Sequence, residues 1–238
     1  FTINQARAVC VEENSRIYDA AHKVRAMLCN SGNANACTGL KGEQDDKALR
    51  VAVAKNFQLQ ADEVLTASTG KIGISLPIDK LIQQINNFAK NNKSNDSNYP
   101  ACTDIQGFSE AILTTDLVSK LYQDSKFNVL GMTKGSGMIH PHMATMLAFL
   151  VSDVRLRNHN DAQMQQAFRL ALKEAVDESF NAISVDGDTS TNDMVLFLSN
   201  AKGKEITLDE FRTSLKEVCR ELALKIILDG EGTNRVIQ

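Results

Sequence analysis

Lys134-Gly-Ser-Gly-Met-Ile-His-Pro-His-Met-Ala-Thr145 runs directly into Met146-Leu-Ala-Phe-Leu-Val151. A glycine-rich loop thus delivers a threonine to the mouth of an unbroken apolar run. A run without polar alternation fits a strand covered on both faces, so a buried strand is predicted over Thr145–Val151. Should the Ala144–Thr145 peptide bond break, Thr145 gains a free α-amine beside its own hydroxyl. Those two groups form a self-contained base–nucleophile pair. An α-amine titrates at roughly 7.7–8.0, suited to taking a proton near neutrality. The stretch therefore reads as the centre of an acyl-transferring enzyme built on Thr145.

Similar apolar runs predict strands at Val24–Cys29, Val64–Ala67 and Met194–Leu198. Helices alternate with them. Asp45–Phe57 carries Leu49, Val53 and Phe57 at four-residue spacing. Leu76-Pro77 opens a second, with Ile78, Leu81, Ile82, Ile85 and Phe88 on one stripe. Asp161–Phe180 repeats the pattern through Met164, Phe168, Ala171, Leu172, Ala175 and Val176. Thr207-Leu-Asp-Glu210 is a capping-box signature for a last helix bearing Phe211, Leu215, Val218 and Leu222. Alternation of this kind makes the fold class α/β. The polar stretch Asn91–Pro100 reads as a surface loop or hinge.

The 238 residues suffice to bury a proper core. With 26 Lys+Arg against 29 Asp+Glu and no basic stripe, the chain lacks the electrostatic footprint of a nucleic-acid partner. The longest apolar stretches are too short to cross a bilayer, so no membrane partner is expected. Phe1-Thr-Ile-Asn shows no signal-peptide pattern and reads as the middle of a strand or loop. The cytoplasm is the expected location, an organelle remaining compatible. Cys10, Cys29, Cys37, Cys102 and Cys219 are odd in number and form no CxxC, so neither a disulfide framework nor a metal site is expected.

Four polar or glycine-rich clusters fall at predicted strand ends: 30–39, 68–73, 134–145 and 186–193. Each alone is an ordinary turn; together they sit where α/β proteins carry their chemistry. A P-loop fails, because Gly70-Lys71 is followed by Ile72 and position 65 is leucine. A calcium loop over Asp186-Gly-Asp-Thr-Ser fails because glycine stands second, not sixth. Acyl transfer fits better: Thr69-Gly70 can offer a hydroxyl and a backbone N–H to a carbonyl oxygen. Lys134 can bind a carboxylate or lower an amine's proton affinity.

The segments NSGNANACTG, ASTGKIG, LTTD, GMTKGSGMIHPHMATML, DGDTSTND and LDGEG, in this order, resemble the ornithine acetyltransferase family, also called bifunctional glutamate N-acetyltransferases. The resemblance runs through essentially the whole chain. It implies a layered α/β sandwich that looks like, but is topologically distinct from, the N-terminal-nucleophile hydrolases. It implies one catalytic domain over 1–238, self-cleaved between Ala144 and Thr145 into an α piece, 1–144, and a β piece, 145–238. Thr145 would take acetyl from N2-acetylornithine and pass it to glutamate in a ping-pong cycle through an acetyl-threonine ester. Thr69 and Gly70 would form the oxyanion hole. Thr114, Lys134, Thr145 and Glu231 would contact substrate. No bound cofactor is implied, although bifunctional members accept acetyl-CoA as co-substrate. The expected partners are these small molecules and the two pieces themselves, paired into homo-oligomers of α/β units.

The chain departs from the family pattern in places. Lys71 replaces a small apolar residue, and His142 stands where asparagine is common. Leu117-Val-Ser-Lys120 replaces Thr-x-Pro-Lys after the LTTD threonines, and the loop Tyr122–Val129 looks shortened. His140 and His142 flank Pro141 near the expected cut, and read as loop histidines. Family members extend beyond both ends, so a longer parent protein is expected. Two other readings fit parts of the pattern: an N-terminal-threonine amidase or aminopeptidase using water as acceptor, and an uncleaved binding relic without activity.

Overall fold

The computed structural model describes residues 1–20, 23–91, 104–140 and 146–232. The chain divides into two compact units, Asn4–Thr114 and Phe1–Ile3 with Thr115–Gln238. Each interleaves strands with helices, so the α/β class stands.

The N-terminal unit contains α1 (Val9–Asp19), β1 (Ala26–Asn33), α2 (Gly39–Phe57), β2 (Val64–Lys71), α3 (Ile78–Asn91) and α4 (Ile105–Ala111). β1 and β2 pair in parallel, in register from Ala26 with Val64 to Gly32 with Gly70, and α2 makes the crossover. Parallel strands need such a crossover because no tight turn can join them. The strands outrun the predicted Val24–Cys29 and Val64–Ala67, since Asn30–Asn33 and Ser68–Lys71 continue the ladder despite their polarity. Leu49, Val53, Ala54, Leu59, Val64, Leu76 and Ile85 form the core. Phe88, on the predicted α3 stripe, stays 47% exposed.

A buried polar network ties β2 to α1 and α2. The Arg50 guanidinium donates to Asp46 Oδ2 at 2.7 Å, Val64 O at 2.6 Å, Asn14 Oδ1 at 3.0 Å and Thr66 Oγ1 at 3.1 Å. Thr66 Oγ1 donates to Asp46 Oδ1 at 2.6 Å, and Asn14 Nδ2 donates to Thr66 O at 2.8 Å. A buried charge is tolerated only with such complete pairing. The beginning of β2 is thereby fixed, and with it the direction in which Thr69 and Gly70 leave the core.

The C-terminal unit contains β3 (Lys120–Gln123), β4 (Leu130–Lys134), β5 (Leu147–Ser152), β6 (Arg155–Leu156), α5 (Ala162–Asp177), β7 (Met194–Ser199), β8 (Glu205–Ile206) and α6 (Leu208–Leu228). Its main sheet has the order β3-β4-β5-β7. The first two pairings are antiparallel and β5–β7 is parallel. Tyr122 and Gln123 belong to β3, so the segment expected as a loop over Tyr122–Val129 is a strand end followed by a turn. Asp124 caps that turn by accepting Lys126 N–H, Phe127 N–H and Ser214 Oγ–H.

Leu147, Ala148, Phe149 and Leu150 of β5 are all buried, as the unbroken apolar run required. The unit's core gathers Ala148, Leu150, Phe168, Ala175, Phe211, Leu215, Val218 and Leu222, with Phe211 edge-on to Phe168 at 5.5 Å and to Phe197 at 5.0 Å. α5 starts on Asp161, whose carboxylate accepts Met164 N–H at 3.0 Å. The α6 capping box is formed: Thr207 Oγ1 accepts Glu210 N–H at 3.2 Å, and Glu210 Oε2 accepts Thr207 N–H at 2.8 Å. Among the described residues no helix is long and apolar enough to cross a membrane.

Candidate active site

The two polar segments of the N-terminal unit lie side by side where β1 and β2 end. Ser68 Oγ donates to Asn30 Oδ1 at 2.7 Å, Asn30 Nδ2 to Asn33 O at 3.0 Å, and Ala34 N–H to Lys71 O at 2.9 Å. Thr69 is buried, at 4% exposure. Gly70 has φ +124°, and an added Cβ would lie 2.4 Å from the Gly32 carbonyl carbon. Positive φ and backbone contact both demand glycine here.

In the C-terminal unit the segment 135–139 after β4 is held at every residue. Gly135 N–H donates to Asp116 Oδ1 at 2.6 Å. Ser136 Oγ pairs with Thr115 Oγ1 at 2.9 Å, and Ser136 O accepts Glu231 N–H at 2.7 Å. Gly137 packs on the Glu231 carboxylate so closely that a Cβ would lie 2.7 Å from Oε2. Asp186 accepts Met138 N–H at 2.6 Å and Ile139 N–H at 2.8 Å. Burial opposes ionisation of Asp186, but these N–H groups and that of Asp188 outweigh it, and its carboxyl titrates below the usual value.

Chain beyond the loop is gripped again. Met146 N–H donates to Asp193 Oδ1 at 3.0 Å, and Met194 N–H to Met146 O at 3.3 Å. Asp193 is 1% exposed. Burial pushes its carboxyl well above the ordinary value, although Ser190, Met146 N–H and Lys134 pull the other way. Leu147 faces Lys134 across the β4–β5 ladder.

Lys134, 2% exposed, ends β4 beside a cluster of buried charges. Its Nζ stands 3.9 Å from Asp116 Oδ2. Lys120 Nζ donates to Asp116 Oδ1 at 2.7 Å, to Asp229 Oδ2 at 2.6 Å and to Val118 O at 3.3 Å. Asp229 closes the C-terminus of α6 and also accepts Leu117 N–H at 3.1 Å. Burial alone would raise the Asp116 carboxyl, yet Lys120, Gly135 N–H and Lys134 bring it below its ordinary value.

Glu231 thus packs on Ser136 and Gly137 of the turn that follows Lys134, whereas Thr114 is an exposed residue at the end of the other unit. Its neighbour Thr115 is the LTTD threonine that binds Ser136. Ala144, Thr145 and His142 lie outside the described residues, as does Cys102. His140 is exposed, and Lys71 is the last residue of β2. No group of three or more metal-ligating side chains occurs among the described residues. Sequence reading missed Thr115, Asp116, Lys120, Asp186, Asp193 and Asp229 as site residues. All but Lys120 stand inside the motifs LTTD, DGDTSTND and LDGEG, where the four aspartates could have been weighed as acceptors for backbone N–H groups.

An α/β chain with a tethered glycine loop leading to a threonine is the class these features define. The ArgJ family model matches residues 1–238, and the chain belongs to that family. It is 39% identical over 251 aligned residues to the arginine biosynthesis bifunctional protein ArgJ of Bacillus thuringiensis subsp. konkukian, covering 100% of this chain and 58% of the relative. It is 38% identical over 244 residues to the glutamate N-acetyltransferase of Methanopyrus kandleri, covering 100% and 59%. The ornithine acetyltransferase of Mycobacterium tuberculosis, solved in complex with ornithine, is similar at 33% identity and TM-score 0.48, with 59% of this chain and 74% of that one covered. The chain spans 58–59% of the length of these two curated relatives.

Proposed function

We propose that the protein containing this chain transfers an acetyl group from N2-acetylornithine to glutamate through an ester on Thr145. The observation that carries this reading is the match of all 238 residues to the ArgJ family, with the KGSGM and MATML motifs intact. Relatives of this chain are named arginine biosynthesis bifunctional protein and glutamate N-acetyltransferase.

In this reading the Thr145 hydroxyl attacks the Ala144 carbonyl, and water releases the resulting ester. Ala144 is left as a carboxylate and Thr145 with a free amine. The amine then accepts the hydroxyl proton as Oγ attacks the acetyl carbon of N2-acetylornithine. Thr69 and the Gly70 N–H stabilise the oxyanion. Collapse expels ornithine, whose amine leaves with the proton. Glutamate's amine reverses the sequence and departs as N-acetylglutamate. Thr114 and Lys134 bind the substrate's polar groups, Lys134 by its charge, and Glu231 faces its amine. Acetyl-CoA is a second donor for the same ester. The pieces 1–144 and 145 onward stay together and pair into larger oligomers.

Mass spectrometry of the purified full-length protein tests this. Two pieces, a new Thr145 N-terminus, and an adduct of about 42 Da on the second piece after exposure to acetylornithine are expected. An intact, active polypeptide, or a cut one that never carries the adduct, overturns it. Acetate release indifferent to glutamate would mark a hydrolase instead.

A further inference from the structure

One side chain joins the ends of β1 and β2. Asn30 stands opposite Ser68 in the ladder, two residues before Gly32 meets Gly70. Its amide bonds at both ends: Oδ1 accepts Ser68 Oγ–H at 2.7 Å, and Nδ2 donates to Asn33 O at 3.0 Å. Its neighbours in the NSGN run turn elsewhere, Ser31 Oγ to Ala111 O at 2.7 Å and Asn33 Nδ2 to Ser75 O at 3.3 Å. The Asn30 amide therefore grips β2 just ahead of Thr69, and grips its own strand just beyond Gly32. Between these two grips the glycines touch. A Cβ on Gly70 would fall 2.4 Å from the Gly32 carbonyl carbon and 2.6 Å from its oxygen. With no side chain to separate them, a shift of Gly32 passes directly to Gly70.

The Gly70 N–H points away from this contact. Asn14 takes both the N–H and the C=O of Thr66, at 3.2 and 2.8 Å, so Thr66 faces away from β1. Backbone groups alternate between the two edges of a paired strand. The Gly70 N–H, four residues on, is thereby sent to that same edge, and its direction is set by how Gly70 sits on Gly32.

We infer that Asn30 is a positioning residue for acetyl transfer: by holding Ser68 and Asn33 with one amide it seats Gly32 against Gly70 and so aims the Gly70 N–H at the oxyanion. The inference rests on the oxyanion-hole role of Thr69 and Gly70 in the proposed function. The backbone ladder already holds β1 to β2, so what the amide adds is the shape of the strand ends. A misdirected donor weakens a bond that matters in the tetrahedral state and little in the ground state, so the loss falls on the chemical steps and not on binding. Acetyl arriving on Thr145 from acetylornithine and acetyl leaving it for glutamate both pass through an oxyanion in this hole. Both half-reactions must therefore slow by the same factor.

Single-turnover kinetics of the cut full-length protein test this, with the acetyl ester followed by mass spectrometry under acetylornithine and then under glutamate. Asn30→Ala should slow each half-reaction about tenfold, with the half-saturating concentrations of both substrates within about threefold of wild type. Ser68→Ala breaks the cross-strand bond from the other side and keeps the Asn30–Asn33 bond. It should slow both half-reactions about threefold, and it carries the test should Asn30→Ala fail to fold or to be cut. The double variant should be no more than about twofold slower than Asn30→Ala, since both substitutions break one link. A purely structural role predicts a lower melting temperature without an even loss in the two rates. Unchanged rates in either folded single variant, unequal slowing of the two half-reactions, or a tenfold rise in a half-saturating concentration overturns the inference. Wild-type protein that never carries the acetyl ester overturns the proposed function instead.

Discussion

Replacing Arg50 by methionine isolates the energetic anchor of β2. The side chain of Arg50 is 4% exposed and that of Asp46 is 2% exposed, so neither charge has solvent to fall back on. The variant deletes four hydrogen bonds, to Asp46, Val64 O, Asn14 and Thr66. Asn14 Oδ1 keeps Thr66 N–H, and Asp46 Oδ1 keeps the Thr66 hydroxyl. What is left without compensation is one buried carboxylate charge and the Val64 carbonyl. Breaking a buried pair from one side costs about 3–5 kcal/mol. With a urea m-value of about 2 kcal/mol/M, the midpoint falls by roughly 1.5–2.5 M. Urea titration of the full-length protein, followed by circular dichroism, measures it. Arg50→Lys should recover only part of the loss, since one ammonium cannot reproduce a planar fork of donors. A midpoint for Arg50→Met within about 0.5 M of wild type would refute the view that this network anchors the strand.

Three further outcomes follow from the described geometry. Gly70→Ala meets the Gly32 backbone and a positive φ together, so it should destabilise by more than about 1 kcal/mol and slow acetyl transfer, read by thermal melts and kcat. Asp193→Ala removes the acceptor of Met146 N–H and should slow scission at 144/145 about tenfold or more, followed by denaturing electrophoresis over time. Asp186 has a folded carboxyl that titrates below its ordinary value. Its stabilisation is therefore full above about pH 4 and is lost as pH falls through the folded value. The stability gap between wild type and Asp186→Ala should be flat from pH 7 to 5 and close below pH 4 in urea titrations.

Elements with one dominant signal were readable in advance. β5 announced itself as an unbroken apolar run, and α6 by Thr207, Glu210 and its apolar stripe. α2 begins at Gly39, earlier than expected, because Gly39 and Gly42 obscure its first turn. α1 went unseen because one of its core positions is Asn14, buried only by virtue of Arg50 and Thr66. β3 and β4 are short, and buried lysines at Lys120 and Lys134 break their apolar pattern. The site divides in the same way. Ordered motifs and the family they resemble pointed to Lys134, Glu231, Thr69 and Gly70, whose roles belong to the proposed function. The acids that hold the loop act across large separations, as Asp186 does on Met138 and Asp229 on Lys120, and local pattern carries no information about such partners.

The order β3-β4-β5-β7 puts β5 between a strand that precedes residue 144 and one that follows it. Severing the 144–145 bond would therefore leave two polypeptides laced through one sheet, unable to part without melting it. Reassembly after melting would then require two molecules to find each other. Recovery of the cut protein should slow on dilution, while the uncut precursor refolds at a rate indifferent to its concentration.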